Sequence, residues 1–170
     1  MKKLFKVALV AGCMLFMGNF AKAQSKIGYI AFDQIIQSLP AFKTVQTQLQ
    51  AYQKQWTDQL QTFNNEYNTK AQAYQTGRAA MTDAVRTTKE AELTDLQKRF
   101  SELQTNAQQQ VEAKTNELSK PLIDQARAAV VAVAKEKGYS YVLNSTQTDL
   151  IVSPEGDDLM PAVKVKLGIK

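Results

Sequence analysis

Histidine is absent from this 170-residue sequence, and Cys13 is its single cysteine. Nucleophilic sites that use a histidine base, and zinc sites built from histidine and cysteine, are therefore excluded. The seven glycines are scattered singly, so no glycine-rich loop is available to hold a phosphate group. The carboxylates form no paired arrangement typical of acid–base catalysis. We therefore predict that the protein is not an enzyme and holds no cofactor or metal ion.

Long apolar runs are also scarce, and the short one at residues 7–16 lies in a segment typical of an export signal. It follows three lysines and precedes the small-x-small sequence Ala21-Lys22-Ala23. Cleavage between Ala23 and Gln24 would remove residues 1–23. No later segment reaches the ~20 consecutive apolar residues that cross a bilayer. We therefore expect an exported protein that is soluble after cleavage.

Cys13 offers a second interpretation of the same segment. The sequence Val10-Ala11-Gly12-Cys13 matches the pattern that precedes a lipidated cysteine, and acylation there would hold the protein at a membrane. Lipidation requires cleavage just before Cys13. This cleavage would leave the apolar residues 14–17 on the mature protein, and only residues 7–10 would form the preceding apolar run. Cleavage after Ala23 is therefore favoured over lipidation.

The charge balance becomes nearly neutral without the signal. The full chain has 21 basic and 16 acidic residues, but four of the lysines lie within residues 1–23. A mature protein with about one net positive charge gives no support for nucleic-acid binding. Four cations outweigh Asp83 within residues 68–89: Lys70, Arg78, Arg86 and Lys89. We predict that they bind an acidic partner or anionic lipid, and the alternative is an ordinary solvated helix end.

Residues 41–137 carry the periodicity of two helices with a polar break near residues 76–82, and the hairpin arm is predicted to span residues 41–120. Apolar residues at steps of three and four form a narrow stripe on each helix, which is typical of a coiled-coil seam. The stripe of the first helix is Phe42, Val45, Leu49, Tyr52, Trp56, Leu60, Phe63, Tyr67, Ala71 and Tyr74. That of the second is Met81, Val85, Leu93, Leu96, Phe100, Leu103, Ala107, Val111, Leu118 and Leu122. The pattern predicts a long antiparallel hairpin, with Thr82 as the N-cap of the return helix.

The aromatic members of the first stripe admit two interpretations. Tyr52, Trp56, Phe63, Tyr67 and Tyr74 could form a ladder that binds a partner, or they could pack the seam between the helices. Their spacing of three and four favours the seam.

Residues 24–40 and 121–170 are predicted to form a small α+β body. Residues 26–32, 139–143 and 149–152 have strand-like composition. Asp33 is expected to cap a short helix, Pro40 to open the hairpin, and Pro121 to kink the returning helix where it meets the body. Gly138 suits the end of that helix, and Asp157-Asp158 fits the cap of a final helix better than a calcium loop.

A body of roughly 65 residues without disulfides is marginally stable alone, and three short strands leave unpaired edges. Self-association through the sheet would cover those edges. The residues expected in this oligomerisation body are Ile27, Tyr29, Ile30, Tyr141, Val142, Leu143 and Ile151.

In this order and spacing, the motifs of the chain resemble the Skp/OmpH family of periplasmic chaperones. The resemblance spans the mature chain and rests on KIGYI, Leu39-Pro40-Ala41-Phe42, the hairpin, Lys120-Pro121-Leu122-Ile123, Lys137-Gly138-Tyr139, Tyr141-Val142-Leu143 and Gly156-Asp157-Asp158-Leu159. Members of that family are often strongly basic, so the near-neutral charge is a departure that argues against broad electrostatic capture.

The resemblance implies a jellyfish-like homotrimer in the periplasm whose arms enclose unfolded outer-membrane β-barrel proteins without ATP. It also implies weak contact with anionic lipid or lipopolysaccharide, and it identifies these unfolded clients as the partners of the four cations and of an aromatic ladder. The alternative function is a periplasmic coiled-coil adaptor or structural envelope protein, for which the body is small.

Overall fold

The computed structural model describes residues 25–169. The predicted signal, its cleavage position at Ala23 and Gln24, and Cys13 lie outside the described residues. In chain order the elements are β1 (Ile27–Ile30), α1 (Phe32–Ser38), α2 (Pro40–Gly77), α3 (Asp83–Glu136), β2 (Tyr141–Asn144) and α4 (Met160–Leu167). Short 3₁₀ turns lie at Arg78–Ala80 and Glu155–Asp157. The described chain is therefore mostly helical, with a small sheet.

The hairpin consists of α2, with 38 residues, and α3, with 54 residues. Pro40 occupies the first turn of α2, where its missing N–H is not needed. Thr82 caps α3, since its hydroxyl oxygen accepts a hydrogen bond from the backbone N–H of Val85 at 3.4 Å. Both features confirm what the sequence predicted.

The apolar stripes meet along the seam between α2 and α3. Tyr74, Leu96 and Ala107 are buried there, and most of the other predicted seam residues are half-buried. Val85 departs from the prediction, since its side chain is exposed. All five aromatic residues of the α2 series are half-buried or buried, which supports packing in the seam.

The sheet contains two parallel strands, with Ile27 opposite Tyr141 and Ile30 opposite Asn144. Parallel neighbours require a long crossover connection, and here the whole helical hairpin is that crossover. The long arm and the sheet are thus one topological unit rather than two independent domains.

The predicted third strand at residues 149–152 is wrong. Ile151 is 93% exposed and Val152 is 83% exposed, and neither belongs to a strand. The other side of β1 is instead occupied by Asp158, which forms an isolated parallel bridge with Tyr29. The N–H of Leu159 donates to the carbonyl oxygen of Tyr29 at 3.0 Å. Residues 149–152 therefore find no strand partner within the described part of the chain.

The core lies where α1, the end of α3 and α4 cover the sheet. Its buried members are Ile30, Ile35, Leu39, Leu122, Ala126, Ala129, Val130, Val133, Tyr139, Leu159 and Val163. From α2, only Phe42 and Val45 pack against this cluster. The remaining 32 residues of α2 would extend ~48 Å from the body at 1.5 Å per residue.

Polar side chains fix the ends of the body helices. Asp158 lies one residue before Leu159, the N-cap of α4, and its carboxylate accepts a hydrogen bond from the N–H of Met160 at 2.8 Å. Asp157 instead accepts one from the phenol of Tyr139 at 3.1 Å, so the predicted cap is formed only in part. Asp33 does not cap α1, because Ala31 occupies the N-cap and Asp33 lies in the first turn. There its carboxylate accepts a hydrogen bond from the hydroxyl of Thr146 at 2.7 Å.

Helix α3 runs through Pro121 without interruption, and Leu122 is the first of its residues in the core. The proline thus lies where the arm meets the body, while a kink there stays a prediction. At its C-terminal end Gly138 adopts φ +73°, a left-handed conformation that glycine accommodates without strain.

Candidate functional site

A cleft of about 370 Å³ lies between the helices at the free end of the hairpin. Its lining residues are Lys70, Ala73, Tyr74, Met81, Lys89, Glu92 and Leu93. Tyr74 forms a buried part of its floor and is 7% exposed. The cleft combines an apolar floor with charged groups at its edge, so it can accept an apolar or amphipathic group.

Tyr74 also joins the two helices through a hydrogen bond, in which its phenol donates to the carboxylate of Glu90. This bond raises the pKa of Tyr74 above its ordinary value, and burial and the negative charge of Glu90 act in the same direction. At neutral pH the phenol is therefore a fixed donor. The interaction ties α2 to α3 close to the turn.

The four predicted tip cations all lie near this end, and each interacts with a neighbour. Lys70 pairs with Glu66 at 3.1 Å, and Lys89 pairs with Glu92 at 2.9 Å. The Lys89 ammonium holds the pKa of Glu92 below its ordinary value, through a hydrogen bond and through its charge. The hairpin end is therefore less positive than residues 68–89 suggest, because Glu66 and Glu92 lie outside that window.

The two arginines of the tip are also engaged. Arg86 pairs with Asp83 and donates to the carbonyl oxygen of Met81 at 3.3 Å. The guanidinium of Arg78 lies 5.9 Å from the ring centroid of Tyr74, within the range of a cation–π contact. The structure thus brings the four cations to one end of the arm, and their role in client binding stays a prediction.

A second cleft, of about 270 Å³, opens further along the hairpin and was missed by sequence reasoning. It is lined by Asn64, Tyr67, Asn68, Gln97 and Phe100. The amide of Gln97 donates to the phenol oxygen of Tyr67 at 2.7 Å. The signal for it in the sequence is a repeat of amide residues beside the apolar stripe, which hydrophobic periodicity does not register.

The predicted oligomerisation residues divide into three groups according to their exposure. Ile27, Tyr141, Leu143 and Ile151 are exposed, and Tyr29 and Val142 are half-buried. Ile30 is 2% exposed and belongs to the chain's own core. Exposed apolar side chains thus accompany β2 and the segment that was expected to form a third strand.

Two further findings concern residues 25–169 as a whole. No helix in this part of the chain is both long enough and apolar enough to cross a membrane. In the same range, histidine, cysteine and acidic side chains nowhere gather in a group of three or more that could hold a metal ion.

The fold defines a class of protein in which a small body, made of a two-stranded sheet and its covering helices, carries a long helical hairpin that forms the crossover between its strands. Within this class, the model of the family described as "Outer membrane protein (OmpH-like)" matches residues 26–167. The chain therefore belongs to this family, which confirms the resemblance drawn from its motifs.

Two relatives extend this result. The chain is 26% identical over 153 residues to the Chaperone protein Skp of Photorhabdus luminescens, covering 90% of this chain and 92% of that protein. The crystal structure of a putative outer membrane chaperone (OmpH-like) from Caulobacter crescentus CB15 matches with a TM-score of 0.67. That match covers 85% of each chain at 15% sequence identity, and it shows that the fold is shared.

Proposed function

We propose that this protein is a holdase chaperone, which binds unfolded outer-membrane β-barrel proteins in the periplasm and prevents their aggregation without ATP. The observation that carries the proposal is membership of the OmpH-like family together with a hairpin that extends far beyond the core. The names of its relatives, a chaperone and a putative outer membrane chaperone, agree with this role.

The shape of the arm suits the physical task of a holdase. An unfolded β-barrel chain exposes apolar side chains and unpaired backbone groups, and both favour aggregation. Several weak contacts along a long surface retain such a chain through effective concentration, so release needs no energy input. The two clefts of α2 and α3 offer such contacts at different positions along one hairpin.

We further propose that three copies associate through the body and that their arms enclose the client. Support comes from the outer edge of β2, which has no strand partner within the described chain. The apolar side chains of Tyr141 and Leu143 in β2 are exposed, and so is that of Ile151. Burial of these side chains between copies would remove apolar surface from water and would cover a strand edge.

The test is suppression of aggregation when an outer-membrane β-barrel protein is diluted out of urea in the absence of nucleotide. We expect scattering to fall at a severalfold molar excess of the chaperone, relative to the same excess of an unrelated folded protein. Absence of suppression would refute the holdase function. Selective binding to the same barrel once it has folded would instead favour an adaptor.

A further inference from the structure

One face of the hairpin carries uncharged polar side chains along most of its length. On α2 they follow one another at steps of three and four: Gln46, Gln50, Gln53, Thr57, Gln61, Asn64 and Asn68. On α3 the corresponding residues are Gln97, Ser101, Gln104, Gln108 and Thr115, and the exposed Glu112 interrupts this row between the last two. All except Thr115 are exposed. We call this set the neutral face.

The second cleft shows that the two rows belong to the same side of the hairpin. Asn64 and Asn68 from α2 line it together with Gln97 from α3. A helix turns by about 100° per residue, so steps of three and four keep each row on the side where these residues meet. The rings of Tyr67 and Phe100 complete the cleft and give it an apolar part.

The opposite face of the hairpin is charged on α3, whereas α2 carries exposed glutamines there as well, Gln55 and Gln59. Arg99 pairs with Asp95 and lies 5.4 Å from the ring centroid of Phe63, while Lys114 pairs with Glu117. The same helical spacing places these residues on the other side of the seam from Asn64 and Gln97. The two faces therefore differ in charge along α3, although both are exposed to solvent.

From this asymmetry we propose that the neutral face is the surface of the arm that binds unfolded polypeptide. In this proposal the amide side chains exchange hydrogen bonds with the client backbone, and the cleft beside Tyr67 and Phe100 receives an apolar client side chain. The inference rests on the proposed holdase function and specifies the surface and the chemistry through which it acts.

The chemistry of the amide group supports this occupant. Each glutamine or asparagine offers two N–H donors and a carbonyl acceptor, so it can pair with either polar group of a peptide bond whatever the client sequence. An uncharged surface also avoids the cost of removing charges from water when the client covers it. A face of this kind complements a neutral backbone and selects clients neither for nor against their charge.

Site-specific photocrosslinking tests the location of the client. A benzophenone amino acid is placed at Gln61 on the neutral face or at Gln59, an exposed glutamine that the helical spacing places on the opposite face. With a urea-unfolded outer-membrane β-barrel protein, we expect crosslinks to the client from position 61 and severalfold fewer from position 59. Equal crosslinking from both positions, or crosslinks from position 61 mainly to a second copy of this chain, would overturn the proposal.

Matched triple substitutions test the chemistry. Asn64→Asp, Asn68→Asp and Gln97→Glu remove amide donors from the cleft and add three negative charges at nearly unchanged side-chain volume. The control carries Asn106→Asp, Asn116→Asp and Gln59→Glu, which change the charge equally at exposed positions away from the neutral face. Binding of an unfolded barrel protein with net charge near zero is measured at ~1 M salt, where the screening length is about 3 Å.

We expect the cleft variant to bind about tenfold more weakly and the control to change less than about twofold, with unchanged circular dichroism for both. Equal affinities of the two variants would overturn the inference while leaving the holdase function intact. Failure of the wild-type protein to bind the client would refute the holdase function itself. Preferential binding of an oligosaccharide, with loss in the cleft variant alone, would assign the face to carbohydrate instead.

Discussion

Leu159 packs so closely against Gly28 that a Cβ atom added at Gly28 would lie 2.4 Å from the Cδ1 atom of Leu159. Tyr139 closes the same space, with ring atoms at 3.0 Å and 3.1 Å from that position. Gly28 lies in β1, Tyr139 precedes β2, and Leu159 is the residue before α4. The absence of a side chain at Gly28 therefore allows the C-terminal segment to pack directly on the sheet.

Replacement of Gly28 by alanine should destabilise the body. Leu159 is fully buried and cannot move away without disturbing the core, so the added methyl group overpacks it. Such changes cost about 1–3 kcal/mol, and urea denaturation followed by circular dichroism measures the loss. The control is Gly156→Ala, because a Cβ atom at Gly156 meets nothing within 4 Å. Equal stability of the two variants would contradict the packing described here.

Local signals in the sequence were sufficient to predict the helical parts of this fold. The three-four spacing of apolar residues predicted the hairpin, Thr82 predicted the start of α3, and Gly138 marked its end. These features depend on interactions within a few residues, such as a hydroxyl group next to a free backbone N–H. A short stretch of sequence is therefore enough to predict where these helices begin and end.

Features that depend on distant partners were predicted less well. Residues 149–152 have the composition of a strand, but Asp158 occupies the neighbouring position beside β1. The positive charge of the hairpin end was overestimated, because Glu66 and Glu92 come to it from outside the window considered. The neutral face was missed because hydrophobic periodicity does not register amide residues.

Two valines in α4 offer a matched test of the core. Val163 is fully buried, whereas Val165 is 80% exposed on the same helix. Val163→Ala should lower the free energy of unfolding by about 2–3 kcal/mol, through lost apolar burial and a residual cavity. Val165→Ala should change it by less than about 0.5 kcal/mol. Similar losses from both substitutions would mean that α4 is not packed on the core in solution.

The exposed apolar side chains of the body predict self-association. Leu143→Lys combined with Ile151→Lys should convert the proposed trimer into monomers, because each lysine would place a charge in the interface. Light scattering at micromolar concentration measures the mass. Gln147→Lys, an exposed substitution on the segment between these residues, is the control and should leave the oligomer intact. A stable monomer of the wild-type chain would refute the association argument directly.

The hydrogen bond between Tyr74 and Glu90 predicts a pH dependence on the alkaline side. Because the pKa of Tyr74 is raised above 10.0, its contribution to stability is fully present below pH 10 and is lost as the pH rises through the folded-state pKa. The difference in melting temperature between wild type and Tyr74→Phe should therefore be constant from about pH 7 to 9 and should shrink above pH 10. Ultraviolet titration should show that one of the six tyrosines ionises at a higher pH in the wild-type protein than in Glu90→Gln. If the two titration curves are the same, the hydrogen bond to Glu90 is not what raises the pKa of Tyr74.

The cations at the hairpin end make a separate prediction, since their contribution to client binding should depend on salt. Lys70, Arg78, Arg86 and Lys89 are changed together to glutamine, and binding of an unfolded acidic barrel protein is measured at ~0.1 M and ~1 M salt. The screening length falls from about 10 Å to about 3 Å between these conditions. We expect about fivefold weaker binding at the lower concentration and less than a twofold change at the higher one.

A control for net charge decides whether the position of these cations matters. Lys43, Lys54, Lys98 and Lys114 lie elsewhere on the arm, and changing all four to glutamine removes the same charge. Three of them pair with a neighbouring acid, as Lys70 and Lys89 do, so the local electrostatics are comparable. If both variants lose affinity equally, the clients respond to the charge of the whole arm. If only the variant of the hairpin-end cations loses affinity, the hairpin end contacts acidic segments of the client. These contacts would add to the sequence-independent contacts proposed for the neutral face.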